Sequence, residues 1–239
     1  MKALDKSGSR VRRMFGEIAP RYDMMNHVLS IGIDILWRKR TVRELRLDAT
    51  TPILDCCTGT GDLALMLAEQ VGQRARVVGS DFCLPMLTRA KQKSQAVRHG
   101  HRVHVDFIEA DTQALPFADA TFQAVTVAFG LRNVEDTDLG LSEMVRVCHP
   151  GGQLAILEFS KPQLPGFRQL YSAYFKYVLP RIGQSMARND HAAYDYLPNS
   201  VSEFPSGEGL AVKMRNVGLK SVRFVPLTMG IATLYLGER

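Results

Sequence analysis

Between Pro52 and Ala64 an apolar run ends in an acid, meets a Gly-x-Gly turn and passes into a helical pattern: Ile53-Leu54-Asp55-Cys56-Cys57-Thr58-Gly59-Thr60-Gly61-Asp62-Leu63. This order predicts a strand, a tight loop and a helix N-terminus. Gly59 and Gly61 carry no side chain, so backbone can come close to a nucleotide-like ligand. Asp55, Asp81 and Asp111 each fall at the end of a predicted strand. Open α/β sheets bind their ligands there. Asp81 stands 22 positions after Gly59, the spacing of an acid that accepts hydrogen bonds from both hydroxyls of a ribose. Asp111 and Thr112 fall where an adenine edge would rest. One acid at a strand end is often only a helix N-cap. Three at successive ends of one sheet favour binding.

Gly59–Ala64 also fits the dinucleotide fingerprint G-x-G-x-x-G/A. Alone it does not separate NAD from S-adenosylmethionine (SAM), and a glycine-rich turn with no ligand is the bland alternative. The flanking charges discriminate. A pyrophosphate wants a bare helix N-terminus, yet Asp55 precedes this loop and Asp62 follows Gly61 directly. Two carboxylates repel a pyrophosphate and suit an ammonium and a sulfonium. SAM is therefore the expected cofactor, with Asp55, Gly59, Gly61, Asp81, Asp111 and Thr112 around it.

The elements that must position these residues follow an alternating rhythm. Strands are expected at Ile53–Cys57, Arg76–Ser80, Val103–Glu109, Ala124–Phe129 and Gln153–Phe159. Helices are expected at Asp62–Val71, Pro85–Gln95 and Asp138–Val147, the last stopped by Pro150-Gly151-Gly152. Such alternation implies a parallel sheet covered on both faces. Leu210–Asn216 reads as a further helix. Ser221–Pro226 and Ile231–Leu236 are strands so close in sequence that they must be antiparallel. The fold class is α/β, a seven-stranded, mostly parallel, Rossmann-like sheet ending in an antiparallel hairpin. That is the class I SAM-dependent methyltransferase pattern rather than a dehydrogenase. Residues 1–50 are expected to form an N-terminal helical cap, 51–160 the SAM-binding core, and 206–239 the helix and hairpin that complete the sheet. Residues 161–205 break the rhythm and are rich in aromatics, including Phe167, Tyr171, Tyr174 and Phe175. They read as a helical insertion on the substrate side.

Bulk properties narrow the setting. The 239 residues suit one large domain, and 46% apolar content supports a substantial core. No apolar run reaches the roughly 18 residues of a membrane span, and no signal peptide is visible at the N-terminus. The four cysteines show neither a C-x-x-C pair nor zinc spacing, so no metal site is expected and a reducing cytoplasm is. Residues 1–46 hold eleven Lys/Arg and five Asp/Glu, while the remainder holds 19 of each. The whole basic excess lies at the N-terminus. It reads either as attraction to an anionic membrane surface or nucleic acid, or as a solvated helix face.

Several blocks of the chain together resemble the quinone-biosynthesis C-methyltransferases that act on demethylmenaquinone and on the polyprenyl benzoquinol precursor of ubiquinone. They are Phe15-Gly16-Glu17-Ile18-Ala19-Pro20-Arg21-Tyr22-Asp23, Leu54–Ala64, Ala114-Leu115-Pro116-Phe117, Phe129-Gly130-Leu131-Arg132-Asn133-Val134, Leu157-Glu158-Phe159-Ser160-Lys161-Pro162 and Leu227-Thr228-Met229-Gly230-Ile231. The resemblance spans nearly the whole chain in family order. The glycine loop is common to many methyltransferases, whereas the blocks at 129–134 and 157–162 are far narrower. It implies that Thr60, Asp81, Asp111 and Thr112 contact SAM, that Arg132 and Asn133 serve the quinol chemistry, and that Tyr22 is an active-site tyrosine. Two departures stand out. Cys57-Thr58 replaces a smaller pair before the glycines, implying a slightly tighter loop. Ala128 replaces a serine that contacts SAM in some members.

The implied reaction moves a methyl group from sulfur to a ring carbon, most simply converting demethylmenaquinol to menaquinol. Arg132 is expected to favour the quinolate, because a guanidinium stays charged and offers a planar donor fork. Asn133 is expected to bond a quinol oxygen and Tyr22 to close the site. Glu158 is a further candidate for proton acceptor. The lipid tail implies peripheral contact with the inner face of the membrane, and a homodimer is among the expectations. The alternatives are an RNA methyltransferase using the basic N-terminus, although no RNA-binding module is recognisable, a dehydrogenase, and a non-catalytic SAM-fold partner in a quinone-biosynthesis complex.

Overall fold

A computed structural model describes residues 6–24, 30, 32–48, 50–95, 103–162, 166, 169 and 191–239. Within them the chain runs α1 (Gly8–Ile18), a short 3-10 turn (Ala19–Arg21), α2 (Ile33–Glu44), β1 (Ile53–Cys56), α3 (Asp62–Val71), β2 (Val77–Asp81), α4 (Leu84–Gln95), β3 (Asp106–Glu109) and β4 (Phe122–Ala128). A second 3-10 turn (Leu131–Asn133) leads to α5 (Thr137–Val147), β5 (Cys148–Phe159), α6 (His191–Glu203), α7 (Glu208–Asn216), β6 (Lys220–Leu227), a third turn (Thr228–Gly230) and β7 (Ala232–Glu238).

The strands form one sheet in the order β3-β2-β1-β4-β5-β7-β6. The β1, β2, β3, β4 and β5 pairings are parallel. β7 runs antiparallel to both β5 and β6. The central strands are buried on both faces, which is why β1 and β4 are mostly apolar rather than alternating, with Asp55, Gln123 and Thr126 as buried exceptions. One face carries Ile53, Leu63, Leu67, Val77, Ala124 and Leu234, with Trp37 of α2 packed against them. The other carries Leu54, Val125, Leu141, Met144, Ile156 and Tyr235. Strand order reverses at β1, whose neighbours are β2 on one side and β4 on the other. That switch point is where the loops leaving adjacent strands part and leave a crevice.

Several expected boundaries move. β3 begins at Asp106 rather than Val103, and β4 opens two residues earlier, at Phe122. β7 runs on to Glu238. Helix α5 stops at Val147, before Pro150 is reached, and Cys148 already pairs with Phe122. Pro150-Gly151-Gly152 therefore lies inside β5 instead of ending a helix. The C-terminus holds this stretch: Gly151 N donates to Arg239 O at 2.9 Å, and Arg239 N donates to Gly152 O at 3.0 Å. Gly151 takes the left-handed φ of +79° that the bend requires.

The N-terminal residues lie over the carboxyl ends of the strands. Ile18, Ala19, Cys83 and Met86 form a small separate core, with Phe15, Tyr22 and Phe82 against it. Most of the expected aromatic insertion, including Phe167, Tyr171, Tyr174 and Phe175, lies outside the described residues. No helix among the described residues is long and apolar enough to cross a membrane.

Candidate active site

The glycine loop is shaped by backbone before any ligand is considered. Thr58 N donates to Ser80 O, and Gly61 N to Thr58 O, both at 2.9 Å. Gly59 and Gly61 sit at φ +56° and +85°, where a side chain is strained. Gly61 then caps α3, whose Leu65 N returns to Gly61 O at 2.9 Å. A Cβ at Gly61 would also meet Ala90 Cβ at 3.1 Å and the Phe107 ring at 3.2 Å. At Gly59 it would meet nothing nearer than Tyr22 Cε1 at 3.9 Å. Gly59 thus faces open space and Gly61 faces the protein.

The open space is a crevice of about 660 Å³ of empty volume, continuous with solvent. Gly59, Asp81, Phe82 and Met86 line one side, and Asp111, Thr112 and Gln113 the next. Phe129, Gly130 and Asn133 line the far side, beneath Phe15 and Tyr22. Of the residues expected at the site, the structure gathers Tyr22, Gly59, Asp81, Asp111, Thr112 and Asn133 around one cavity. Asp55, Thr60, Gly61 and Arg132 are not in its lining.

Asp81 is held by two backbone amides. Gly59 N donates to Oδ2 at 2.9 Å and Cys83 N to Oδ1 at 2.8 Å. Burial pushes its carboxyl up to about 6, against the pull of these two amides and of the Arg12 guanidinium. Each oxygen keeps a spare lone pair, so the ionised group still accepts two donors from a bound diol. Asp111 is exposed, and its Oδ1 accepts from Gln113 N at 2.9 Å. Thr112 is buried, with Oγ1 3.3 Å from Cys57 Sγ.

Asp55 plays a different part. It lies within β1, 1% exposed, and accepts from Thr58 Oγ1 at 2.6 Å and Thr126 Oγ1 at 2.7 Å. Burial raises its carboxyl to about 6. It braces the base of the loop. The departure at Cys57-Thr58 becomes intelligible here: Cys57 takes a left-handed φ of +47°, and the Thr58 hydroxyl supplies one of the Asp55 bonds. Asp62 is also turned away. Its Oδ1 lies 2.5 Å from Lys93 Nζ, and its Oδ2 lies 3.9 Å from Arg38 Nη2. The acids flanking this loop are therefore not bare, contrary to expectation: Asp55 is internal, and Asp62 is neutralised by cations from α4 and α2.

Arg132 and Glu158 form a buried pair, 4% and 1% exposed, with Nη1 2.7 Å from Oε1. Glu158 also accepts from the Arg132 and Phe159 backbone amides at 3.3 and 2.9 Å. Arg132 donates in addition to Phe129 O and stacks its guanidinium 5.3 Å from the Phe159 ring centroid. This pair fastens the turn that carries Asn133. Asn133 Oδ1 is buried with no partner among the described residues, while its Nδ2 reaches Phe129 O at 3.5 Å.

Sequence reasoning did not single out Phe82, Met86, Gln113 or Glu135 as lining residues. Phe82 was within reach of it, since it directly follows the strand-end acid. Glu135 accepts from Gly8 N of α1 at 3.2 Å, a contact across 127 residues that no local pattern reports.

The donor set fits SAM. Asp81 suits a sugar diol, Phe82 and Met86 offer apolar faces to a purine, and Asp111 with Gln113 offers an acceptor and a donor for its edge. The open face of Gly59 leaves room for the chain that joins them.

Residues 3–239 match the ubiE/COQ5 methyltransferase family. The chain is 46% identical over 239 residues, all of both chains, to the ubiquinone/menaquinone biosynthesis C-methyltransferase UbiE of Geobacter sp. (strain M21). It is 48% identical over 226 residues to the demethylmenaquinone methyltransferase of Thermus thermophilus, covering 95% of this chain and 100% of that one. Among solved structures, a SAM-dependent methyltransferase of Thermotoga maritima described as a possible histamine N-methyltransferase shares the fold. Its TM-score is 0.65 at 15% identity, over 95% of this chain and 99% of that one. With the match spanning nearly the whole sequence, this chain belongs to the ubiE/COQ5 methyltransferase family and is a SAM-dependent C-methyltransferase.

Proposed function

We propose that the chain methylates a ring carbon of a polyprenyl quinol, with demethylmenaquinol as the substrate. The observation that carries this reading is Asn133 Oδ1, a buried acceptor left without a partner beside the crevice. A buried polar atom without a partner is unfavourable by about 1–3 kcal/mol. A quinol hydroxyl placed against it satisfies the atom and is oriented by it. Its proton would pass to water in the solvent-open crevice. The ortho carbon of the quinolate would then bond to the methyl group as the sulfur–methyl bond breaks, and the ring proton at that carbon would leave to water as aromaticity returns.

When bound, SAM supplies an electrophilic methyl group on a sulfonium. The rest is the work of the chain. Asp81 and the Gly59 loop fix the donor side, with Phe82 and Met86 as an apolar wall beside them. Asn133 orients the hydroxyl, and Tyr22 covers the crevice from the N-terminal turn. Arg132 acts here as a positioning residue: paired with Glu158, it holds the 129–133 turn so that Asn133 keeps its aim. Glu158, committed to that pair, is not read as the proton acceptor.

A prenyl tail confines the substrate to a membrane. Arg10, Arg13, Lys39 and Arg43 are all exposed, and they supply attraction to an anionic lipid surface. Deleting the gene for this chain and analysing cellular quinones by mass spectrometry tests the substrate assignment. The expected result is a naphthoquinone pool one methyl lighter. An unaltered pool, or a lesion confined to benzoquinones, contradicts it.

A further inference from the structure

Behind the glycine loop, on the side away from the crevice, one lysine ties three parts of the chain together. Lys93, in the last turn of α4, places Nζ 2.5 Å from Asp62 Oδ1, 2.8 Å from Asp23 Oδ2 and 3.3 Å from Thr60 Oγ1. Thr60 Oγ1 in turn donates to Asp23 Oδ1. Thr60 belongs to the glycine loop, Asp62 opens α3, and Asp23 follows Tyr22 in the N-terminal segment. The ammonium thus bridges two carboxylates that would otherwise repel each other at close range. The side chains of Lys93, Asp23 and Asp62 are 28%, 32% and 16% exposed, shielded enough for the charges to be felt.

Helix α4 grips the N-terminal segment a second time. Arg89, four residues before Lys93 and so on the same helix face, donates from Nη2 to Pro20 O at 2.9 Å. Residues 20 and 23 are both anchored, and Tyr22 between them lines the crevice opposite Gly59.

We propose that Lys93 is a positioning residue for donor binding: by joining Asp23 to Asp62 and Thr60, it holds Tyr22 over the glycine loop and sets the roof of the SAM crevice. Lys93 is not among the residues that line the crevice. Without the ammonium, Asp23 and Asp62 face each other as like charges. Asp23 then swings outward, taking Tyr22 with it.

The test measures donor binding and the donor-free protein, so it stands apart from the identity of the quinol. SAM affinity is measured by calorimetry for Lys93→Met, Lys93→Arg and the double variant Lys93→Met with Asp23→Asn. Amide hydrogen exchange over residues 20–24 is followed without SAM. Lys93→Met is expected to weaken SAM binding by about ten-fold or more and to speed exchange at 20–24. Lys93→Arg keeps the cation and is expected to stay within about three-fold of the parent. Adding Asp23→Asn to Lys93→Met removes the repulsion and recovers part of the lost affinity. An affinity for Lys93→Met within about two-fold of the parent overturns the proposal. So does a loss that neither the arginine nor the second substitution repairs, because that pattern marks general damage to the fold.

Discussion

Asp81 is the residue through which pH reaches the cofactor. Its carboxyl titrates near 6 in the free protein because burial opposes its charge. The ionised form is the one that accepts two hydroxyl donors. SAM affinity is therefore expected to rise with pH through about 6 and to level off above it. The sign for stability is opposite. A carboxyl raised above its ordinary 3.8 contributes stability to the free protein below that value, and loses it as pH climbs towards 6. Asp55 adds in the same direction. Calorimetry from pH 5 to 8 checks the binding claim: Asp81→Asn should bind weakly and lose the step near 6, and a step that persists in the variant points to another group. At this scale the sequence showed which residues cluster but not where each side chain points. Asp81 ends β2 and reaches the crevice. Asp55, read as its equivalent, sits one residue before the end of β1 and turns inside to Thr126 of the neighbouring strand. Arg132 was read as a group facing the quinol, and it lies in the turn's interior because Glu158 waits there from a strand 26 residues away.

Elements position the crevice by packing loop on loop, and Gly130 shows how little room is left. A Cβ on this glycine would lie 2.3 Å from Cys57 Cβ and 3.2 Å from both Cys57 Sγ and Val127 Cγ2. The loop after β1 and the loop after β4 thus touch through one missing methyl group. Gly130→Ala is expected to destabilise the protein by about 1–3 kcal/mol, the usual range for overpacking. Cys57→Gly beside it should recover most of that, since the clashing atoms are gone and φ +47° suits glycine. Urea denaturation midpoints of the two variants measure this, and an unchanged midpoint for Gly130→Ala would show that the two loops move apart freely. The alternation of strands and helices was legible because buried parallel strands leave mostly apolar runs and the helices leave four-residue spacing. The start of β5 was not. Pro150-Gly151-Gly152 has the local chemistry of a breaker, and its bonds to Arg239 help to keep it in the sheet.

At the scale of the molecule, the sheet supplies a crevice and the N-terminal segment roofs it. The α1 helix meets the core at Gly8–Glu135 and places Arg12 over the Phe82 ring at 5.4 Å. The 20–23 turn is pinned by α4. The charge asymmetry of the sequence pointed to this segment as distinctive, but several of its basic and acidic partners are internal: Arg38 with Asp34 is buried. That pair joins residues four apart on one helix, and composition alone does not separate such internal pairs from cations that face a lipid surface. The central claim is that this roofed crevice delivers a methyl group from SAM to a quinol carbon. Purified protein given SAM with a deuterated methyl, and demethylmenaquinol in neutral or anionic vesicles, tests it by mass spectrometry of the extracted quinone. The account predicts a ring-bound trideuteromethyl group, formed faster on anionic vesicles and lost in Asp81→Asn. A quinone that stays unlabelled while SAM binds normally would contradict it.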